Sequence, residues 1–265
     1  MGLTFTILGC GSSAGVPRVG QGWGACDPNN PKNRRRRCSL LVEQTDGSGR
    51  RTTVLVDTSP DLRAQLLDAD VKSLDGVLFT HDHADHTHGI DDLRPLALHL
   101  GHRIDVYSDA ATSATLQLRF GYCFSTPPGS EYPPILTDRR IAAGAPVTIM
   151  GEGGALEAHP FLQVHGDGTT LGFRFGGMAY SCDVSAIPES SLPVLAGLDV
   201  WILDALRHRP HPSHFSLEEA LGWIARLKPR RAILTNLHTD LDYESLRKSL
   251  PKFVEPGYDG LKIIL

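Results

Sequence analysis

Hydrophobic residues along the chain fall into short runs between turn-forming segments, a pattern typical of β-strands separated by helices and loops. Leu3, Phe5 and Ile7 recur at every second position and predict a first strand over 3–8. Comparable runs predict further strands over 39–43, 52–56, 77–79, 104–107, 147–150, 156–158, 161–164, 171–175, 178–181, 200–203, 231–235 and 261–264. Amphipathic or capped segments predict helices over 60–69, 90–100, 110–120, 217–227 and 243–250. No repeat or linker interrupts the pattern, so a single domain over residues 1–265 is the simplest interpretation.

Composition narrows the class of protein. The hydrophobic content of 41% is enough for a substantial core. The net charge of −4 gives no global basic field that would attract nucleic acid or a membrane. No apolar run approaches the ~20 residues of a membrane helix, and no secretory signal is visible. The five cysteines are widely spaced without a CxxC pair, which favours a reducing, cytoplasmic location. Whether Cys26 and Cys38 hold a structural metal stays open.

The densest cluster of chemical groups lies at residues 77–88, which read VLFTHDHADHTH. Imidazole and carboxylate groups are ligands of divalent transition metals. Alternate side chains of an extended segment share a side, so His81 and His83 are expected to face one site. Asp85 and His86 follow a turn and can face a second site beside it. A short loop at the end of a buried strand therefore supplies four ligands to two adjacent metals, which makes a chance histidine cluster a poor explanation.

Three more candidate ligands resemble that loop in following a predicted strand. His165, Asp183 and His238 each lie at or just beyond the C-terminal end of a predicted strand. Ligands at strand ends converge on one edge of a sheet, where sites in layered folds usually lie. Asp57 also ends a strand, and two roles stay open for it: orienting a metal-binding histidine or capping the helix that follows.

Other segments offer groups that could contact an anion. The glycine-rich turn over 9–15 is suited to binding anionic oxygen through its backbone N–H groups. Ser12 and Ser13 in that turn, together with Arg94, are candidate phosphate contacts. Most of the four arginines at 34–37 are expected to be solvated or structural, although guanidinium groups also match phosphate oxygens.

These residues together resemble the metallo-β-lactamase superfamily, whose HxHxDH element matches residues 81–86. The resemblance spans nearly the whole chain and implies an α/β fold of the αββα type, in which two mixed sheets pack face to face with helices outside. It also implies two divalent metal ions per chain, for which zinc, manganese and iron all suit the ligands. The implied ligands are His81, His83 and His165 for one ion, Asp85, His86 and His238 for the other, and Asp183 as a bridge.

Within the superfamily, the sequence is most similar to the bacterial phosphodiesterases typified by phosphoribosyl 1,2-cyclic phosphate phosphodiesterase. The similarity is carried by LGCGSSAGVPR at 8–18, the arginine-rich segment ending at Ser39, GIDDLR at 89–94 and YDG at 258–260. The sequence departs from that group because it lacks a cysteine-rich zinc cluster near Cys26. A second departure is that Asn236 stands where a further histidine would be expected.

The resemblance implies hydrolysis of a small cyclic or nucleotide-like phosphodiester by a hydroxide that bridges two metal ions. Asp85 is expected to orient this nucleophile as well as to bind metal. The leaving alkoxide benefits from a proton donor, and His214 is the candidate because it lies in a loop just before a helix N-terminus. His208 and His211 are the fallback candidates.

Three alternative functions stay open at this point. A tRNA 3′-processing nuclease is one, although the chain has no insertion that resembles the basic arm of that family. A thioesterase or lactonase of the glyoxalase II type is the second. A sensor that binds a mononucleotide without turnover is the third. The expected partner is a small phosphodiester or nucleotide-like substrate, with no membrane or nucleic acid, and a homodimer is the default expectation.

Overall fold

The computed structural model describes residues 2–265, and the strands within this range form two sheets of seven strands each. In the first sheet the order is β14-β1-β2-β3-β4-β5-β6. Pairing is antiparallel from β14 to β3 and parallel from β3 to β6. These strands are β1 (Gly2–Gly9), β2 (Ser39–Thr45), β3 (Arg51–Val56), β4 (Gly76–Leu78), β5 (Ile104–Ser108), β6 (Leu136–Arg140) and β14 (Lys262–Ile264).

The second sheet repeats this plan, with the strand order β13-β12-β11-β10-β9-β8-β7. Strands β7 to β10 pair antiparallel, and β10 to β13 pair parallel. Each sheet therefore has one antiparallel and one parallel half. The strands are β7 (Val147–Gly151), β8 (Gly154–His165), β9 (Gly168–Phe175), β10 (Met178–Ser181), β11 (Val200–Asp204), β12 (Arg231–Thr235) and β13 (Val254–Pro256).

Helices cover the outer faces of both sheets. Buried residues of α1, α3 and α4 share an apolar cluster with the first sheet, and those of α5 and α6 share one with the second. None of the helices within residues 2–265 is long and apolar enough to cross a membrane. The α-helices are α1 (Leu62–Asp68), α2 (Ala84–Thr87), α3 (Arg94–Leu100), α4 (Ala110–Phe124), α5 (Leu217–Leu227) and α6 (Tyr243–Ser249).

A third apolar cluster lies between the two sheets, so the central strands are buried on both faces. In β2, Leu40 and Val42 belong to the cluster between the sheets, whereas Leu41 packs outward under the helices. In β11, Ile202 faces inward and Trp201 outward in the same way. Strands buried on both faces read as continuous apolar runs. This layering is the expected αββα sandwich.

Several predicted boundaries differ from the structure. The helix predicted over 60–69 begins at Leu62 rather than Pro60, because the Leu62 N–H bonds to the Ser59 carbonyl and closes a separate turn, which leaves Asp61 as the N-cap. The strands predicted at 156–158 and 161–164 are one strand, β8. Strand β6 occupies the end of the segment 125–140 that was expected to be irregular.

Two further elements also differ from the sequence prediction. The helix predicted over 90–100 divides into a short 3-10 helix at Ile90–Leu93 and α3. Strand β13 was not predicted, because it is short and ends in a proline, which is tolerated at a sheet edge.

The arginine run at 34–37 has structural roles. Arg35 is buried, and its guanidinium donates hydrogen bonds to the backbone carbonyls of His238 at 3.2 Å and Leu241 at 2.7 Å. Arg36 forms ion pairs with Asp68 and Asp259. The long loop before β2 is thereby joined to the loop after β12.

The five cysteines are buried free thiols. The sulfur of Cys26 contacts the Thr239 carbonyl, and the sulfur of Cys38 contacts the Gly11 carbonyl and the Thr235 hydroxyl. The two thiols therefore lie in separate surroundings and do not form one metal site together.

We expect Arg35→Ala to lower the free energy of unfolding by about 3 kcal/mol, because it leaves two buried carbonyls without their charged donor. Urea unfolding of the mutant and of wild type, both with chelator, measures this difference. The matched control is Arg50→Ala, which removes an exposed arginine paired with Asp46, and its effect should stay within about 0.5 kcal/mol. Equal effects of the two mutations would contradict the structural role of Arg35.

Candidate metal centre

The HxHxDH loop follows β4 and lies at the C-terminal edge of the first sheet. His83 has extended backbone angles and precedes α2, so the chain turns directly after it. The rings of His81 and His83 lie with their centroids 4.5 Å apart, and those of His81 and His86 lie 4.3 Å apart. The loop therefore brings three imidazoles close together.

The second sheet contributes His165 from the end of β8 and Asp183 from the loop after β10. One carboxylate oxygen of Asp183, Oδ2, lies 3.6 Å from Nε2 of His81 and 3.6 Å from Nε2 of His165. The ligand atoms of His81, His83, His165 and Asp183 all lie within 4.8 Å of one another. These four residues form the first group of the centre.

The other carboxylate oxygen of Asp183 faces a second group. Its Oδ1 lies 3.3 Å from Nε2 of His86, and Oδ2 of Asp85 lies 3.5 Å from the same nitrogen. The amide nitrogen of Asn236 lies 3.0 Å from Oδ1 of Asp183. Asp183 thus stands between the two groups with one oxygen toward each, as expected of a bridging carboxylate.

The outer nitrogens of two histidines are held by hydrogen bonds. Nδ1 of His86 lies 2.8 Å from the buried carboxylate of Asp57, which also accepts hydrogen bonds from the backbone and hydroxyl of Thr80. Nδ1 of His165 lies 2.5 Å from the Ser213 carbonyl, so it carries the proton and leaves Nε2 free for the centre. Asp57 therefore orients a histidine, which decides between the two roles left open for it.

Three site residues adopt left-handed backbone angles just after strands. The φ angles are 62° at Asp57, 33° at Asp183 and 61° at Asn236. Such angles are uncommon for residues other than glycine, although Asn and Asp tolerate them best. Each strand end therefore turns sharply, and in this conformation the side chains of Asp183 and Asn236 meet.

The side chains fit a divalent metal. Nε2 of His81 is buried without a hydrogen-bond partner within the described residues, although buried polar atoms normally have one. Burial lowers the pKa of His81 and His165, so both stay neutral and can donate a lone pair. Burial alone would raise the pKa of Asp183, but the surrounding histidines lower it well below its usual value. The neutral imidazoles of His81 and His165 beside an ionised carboxylate are donors that divalent transition metals accept.

His238 does not belong to this cluster, contrary to the ligand set implied by the resemblance. Its Nε2 lies 2.7 Å from a guanidinium nitrogen of Arg18, and its Nδ1 lies 3.1 Å from the carboxylate of Asp240. The physical reason is that the chain turns at Asn236, so that residue takes the place next to Asp183 and His238 faces away.

His214 approaches the centre from the loop before α5. Its Nε2 lies 3.9 Å from Oδ2 of Asp183, and its Nδ1 lies 2.8 Å from the carboxylate of Asp204 at the end of β11. Burial raises the pKa of Asp204 to about 6. Burial alone would lower the pKa of His214, but the hydrogen bond to Asp204 raises it above its usual value. Sequence reasoning missed Asp204, although its position directly after an apolar run was the available signal.

The candidate phosphate contacts lie in different places. Ser13 lines a cavity of about 520 Å³ that also includes Asp85. Ser12 is buried, and its hydroxyl has no hydrogen-bond partner within the described residues. The guanidinium of Arg94 pairs with Asp91 at 2.9 Å and lies over the ring of Tyr122, so the structure does not bring it to this cavity. Two other arginines line the cavity instead: Arg37, from the run considered in the sequence analysis, and Arg18, which was not named as a phosphate contact.

The chain has two close relatives of different description. One is a solved diphosphatase of the PhnP family, 35% identical, with a TM-score of 0.89 over 100% of this chain and 98% of that chain. The other is a protein of Porphyromonas gingivalis described as an octanoyltransferase, 34% identical over 98% of this chain and 51% of its own. The chain thus spans about half the length of that curated relative.

A more distant structure supports the fold alone. Zn²⁺-bound PqqB from Methylobacterium extorquens is 18% identical, with a TM-score of 0.74 over 98% of this chain and 99% of that chain. In addition, a family model described as the beta-lactamase superfamily domain matches residues 52–236, which include every member of the histidine and aspartate cluster. The chain therefore belongs to the metallo-β-lactamase superfamily, and its similarity to the diphosphatase places it with the PhnP family.

Proposed function

We propose that this protein is a metal-dependent phosphodiesterase that hydrolyses a small cyclic or nucleotide-like phosphodiester. The observation that carries the proposal is the pair His214–Asp204, which presents a protonatable nitrogen to a histidine and aspartate metal centre. A metal centre alone would suit many hydrolyses, whereas a proton donor beside it suits a reaction with a poor leaving group such as an alkoxide.

The residues named above would hold two divalent ions. His81, His83, His165 and Asp183 would bind one, and Asp85, His86 and Asp183 the other. When bound, such ions lower the pKa of water and neutralise charge on the attacked phosphate. Asp85 also lines the cavity, so its carboxylate can orient the attacking water toward a substrate bound there.

His214 is proposed to protonate the leaving oxygen. The carboxylate of Asp204 accepts from Nδ1, which fixes the ring orientation and leaves Nε2 toward the centre. Because Asp204 raises the pKa of His214, the imidazolium form is available near neutral pH. His211 stands next to His214, with ring centroids 5.1 Å apart, but its Nδ1 is engaged by Ser213. His208 contacts Asp240 through its backbone N–H.

The descriptions of the two relatives point to two different substrate classes, diphosphates and acyl compounds. The diphosphatase acts, by its description, on a diphosphate, and attack on phosphorus with departure of an oxygen is common to diphosphates and phosphodiesters. The relative described as an octanoyltransferase would instead favour an acyl substrate, although this chain covers only about half of that protein. An acyl substrate is therefore the alternative that an experiment must separate from a phosphodiester.

We expect Asp183→Ala to lose bound metal and to lower phosphodiester turnover at least about a hundredfold, because both groups of ligands lose their shared carboxylate. Metal content by mass spectrometry and hydrolysis of bis-p-nitrophenyl phosphate measure the two effects. The matched control is Asp199→Ala, an aspartate outside the cluster that pairs with Arg230, and it should keep about two ions per chain.

Wild-type protein with two metals and no phosphodiesterase activity in any metal form would contradict the proposal. Hydrolysis of p-nitrophenyl octanoate by that protein would then favour an acyl substrate. Absence of bound metal after reconstitution would overturn the ligand assignment itself.

For His214→Asn we expect a loss that depends on the leaving group. Cleavage of 2′,3′-cyclic AMP, which releases an alkoxide, should slow about 10²–10³-fold because the proton donor is gone. Cleavage of bis-p-nitrophenyl phosphate, whose leaving group needs no proton, should slow less than about tenfold. His102→Asn is the control, since this exposed histidine lies outside the cluster and its Nδ1 contacts the neighbouring Arg103 carbonyl. Equal losses on both substrates would rule out His214 as the proton donor.

A further inference from the structure

A cleft lined by positive charge lies at the edge of the second sheet opposite the candidate metal centre. It measures about 690 Å³, within the range of small-molecule sites. We propose that this cleft is a second binding site of the protein, and that it binds a small ligand carrying two or more phosphate groups. Its charged lining residues are Arg230, Arg231, Arg247, Lys248, Lys252 and Glu255.

The strands that lead into the cleft place it away from the metal centre. Arg231 is the first residue of β12, and Asn236, whose amide contacts Asp183, follows the last residue of that strand. Strand β13 pairs parallel with β12, and its first residue, Val254, also lines the cleft. The five residues of β12 span about 16 Å. The cleft therefore lies across the sheet from the metal centre, and a ligand bound in it does not occupy the reacting site.

The five cations of the cleft come from three segments of the chain. Arg230 and Arg231 lie at the start of β12, Arg247 and Lys248 in the last turn of α6, and Lys252 in the loop between α6 and β13. Cations in the last turn of a helix complement its dipole. That effect accounts for the pair on α6, but not for the three cations that line the same cleft from other segments. Like charges gathered at one place repel each other, so the arrangement favours a bound anion.

The two lysines of the cleft have no counter-charge. Within residues 2–265, no carboxylate lies within ion-pair distance of Lys248 or Lys252, whereas Lys72 on the first half of the chain pairs with Asp70. The chain as a whole has a net charge of −4. Five cations and one carboxylate at a single cleft therefore form a local positive field that the rest of the molecule does not share.

The three arginines of the cleft have carboxylate partners that a phosphate can replace. The partners are Asp199 for Arg230, Glu255 for Arg231 and Glu244 for Arg247. Of the side chains, 85% of Arg230 and 57% of Arg247 are accessible to solvent. Exposed ion pairs contribute little to stability, whereas a guanidinium binds phosphate oxygens through two parallel N–H donors. The arginines are therefore available to a phosphate at small cost.

The floor of the cleft is apolar and its backbone is held in place. The Phe253 carbonyl accepts a hydrogen bond from the Ala232 N–H at 2.8 Å, and the Val254 N–H donates to the Pro251 carbonyl at 2.9 Å. Val254 is buried, whereas the ring of Phe253 is exposed in the cleft. Lys252 thus projects from a segment that hydrogen bonds join to β12, and the cations surround a fixed concave surface. Because they stand on separate segments, one phosphate cannot engage them all, which favours a ligand with several.

The test measures how fast each lysine of the metal-loaded protein is acetylated by sulfo-N-hydroxysuccinimide acetate, with mass spectrometry as the readout. Inorganic tripolyphosphate at ten times its dissociation constant should slow the reaction of Lys248 and Lys252 about tenfold. Lys72 and Lys262, which lie outside the cleft, should react at the same rate with and without it. Sodium sulfate at equal ionic strength is the control for screening by salt.

A variant of an arginine tests the same site while both lysines stay in place. Arg230→Gln should raise the tripolyphosphate concentration that half-protects Lys248 and Lys252 about tenfold, because a charged donor to the phosphate is lost. The matched control is Arg50→Gln, since Arg50 is also exposed and paired with one aspartate but lies on the β2–β3 turn. It should keep the wild-type concentration.

The source of the phosphate groups follows from a comparison of tripolyphosphate with ATP. Protection by ATP at lower concentration would identify a nucleotide whose base lies on Phe253, and protection by tripolyphosphate at lower concentration would identify free polyphosphate. Either result supports the proposal. An RNA oligomer that protects the two lysines where both small ligands fail would overturn the assignment to a small ligand.

Three further results would overturn the site itself. They are no protection of Lys248 and Lys252, equal protection of all four lysines, and equal protection by sulfate. None of these rates depends on hydrolysis, so a failure of the proposed function leaves the test of the cleft intact.

Discussion

The buried carboxylate of Asp183 is the group around which the rest of the site is arranged. Its two oxygens face different sets of imidazoles, and it is 3% exposed. A buried charge is costly unless it is compensated at close range. The donors around it come from both sheets, so the C-terminal edges of the two sheets must meet within a few ångströms. Packing of the apolar cluster between the sheets is therefore a condition for the centre to form at all.

The two sheets hold histidines beside Asp183 by the same kind of contact. Each contributes a buried aspartate at a strand end whose carboxylate holds the outer nitrogen of a histidine: Asp57 holds His86, and Asp204 holds His214. The consequences differ because the surroundings differ. His86 faces two carboxylates and belongs to the ligand cluster, whereas His214 stays 3.9 Å from Asp183 and is partly exposed. The same local arrangement thus holds a histidine of the candidate metal centre in one layer and the proposed proton donor in the other.

Much of the fold and of the candidate metal centre could be predicted because local sequence patterns determine it. The strand that runs into HxHxDH, and the placement of His165 and Asp183 after apolar runs, need only periodicity and spacing. The same reasoning was wrong for His238, because the number of residues from a strand end does not determine the direction of a side chain. Only the left-handed turn at Asn236 determines that this residue faces Asp183 and that His238 faces Arg18. Arg18 escaped notice because its loop is joined to the site by contacts more than two hundred residues apart in sequence.

The loop after β12 connects these observations. Asn236 at its start contacts Asp183, and His238 two residues later contacts Arg18. The Arg35 guanidinium donates hydrogen bonds to the backbone carbonyls of His238 and Leu241 in the same loop. A short rigid segment therefore faces the metal centre on one side and the arginine of the cavity on the other. The packing of this loop between the two sheets therefore determines which of its side chains reaches Asp183 and which reaches Arg18.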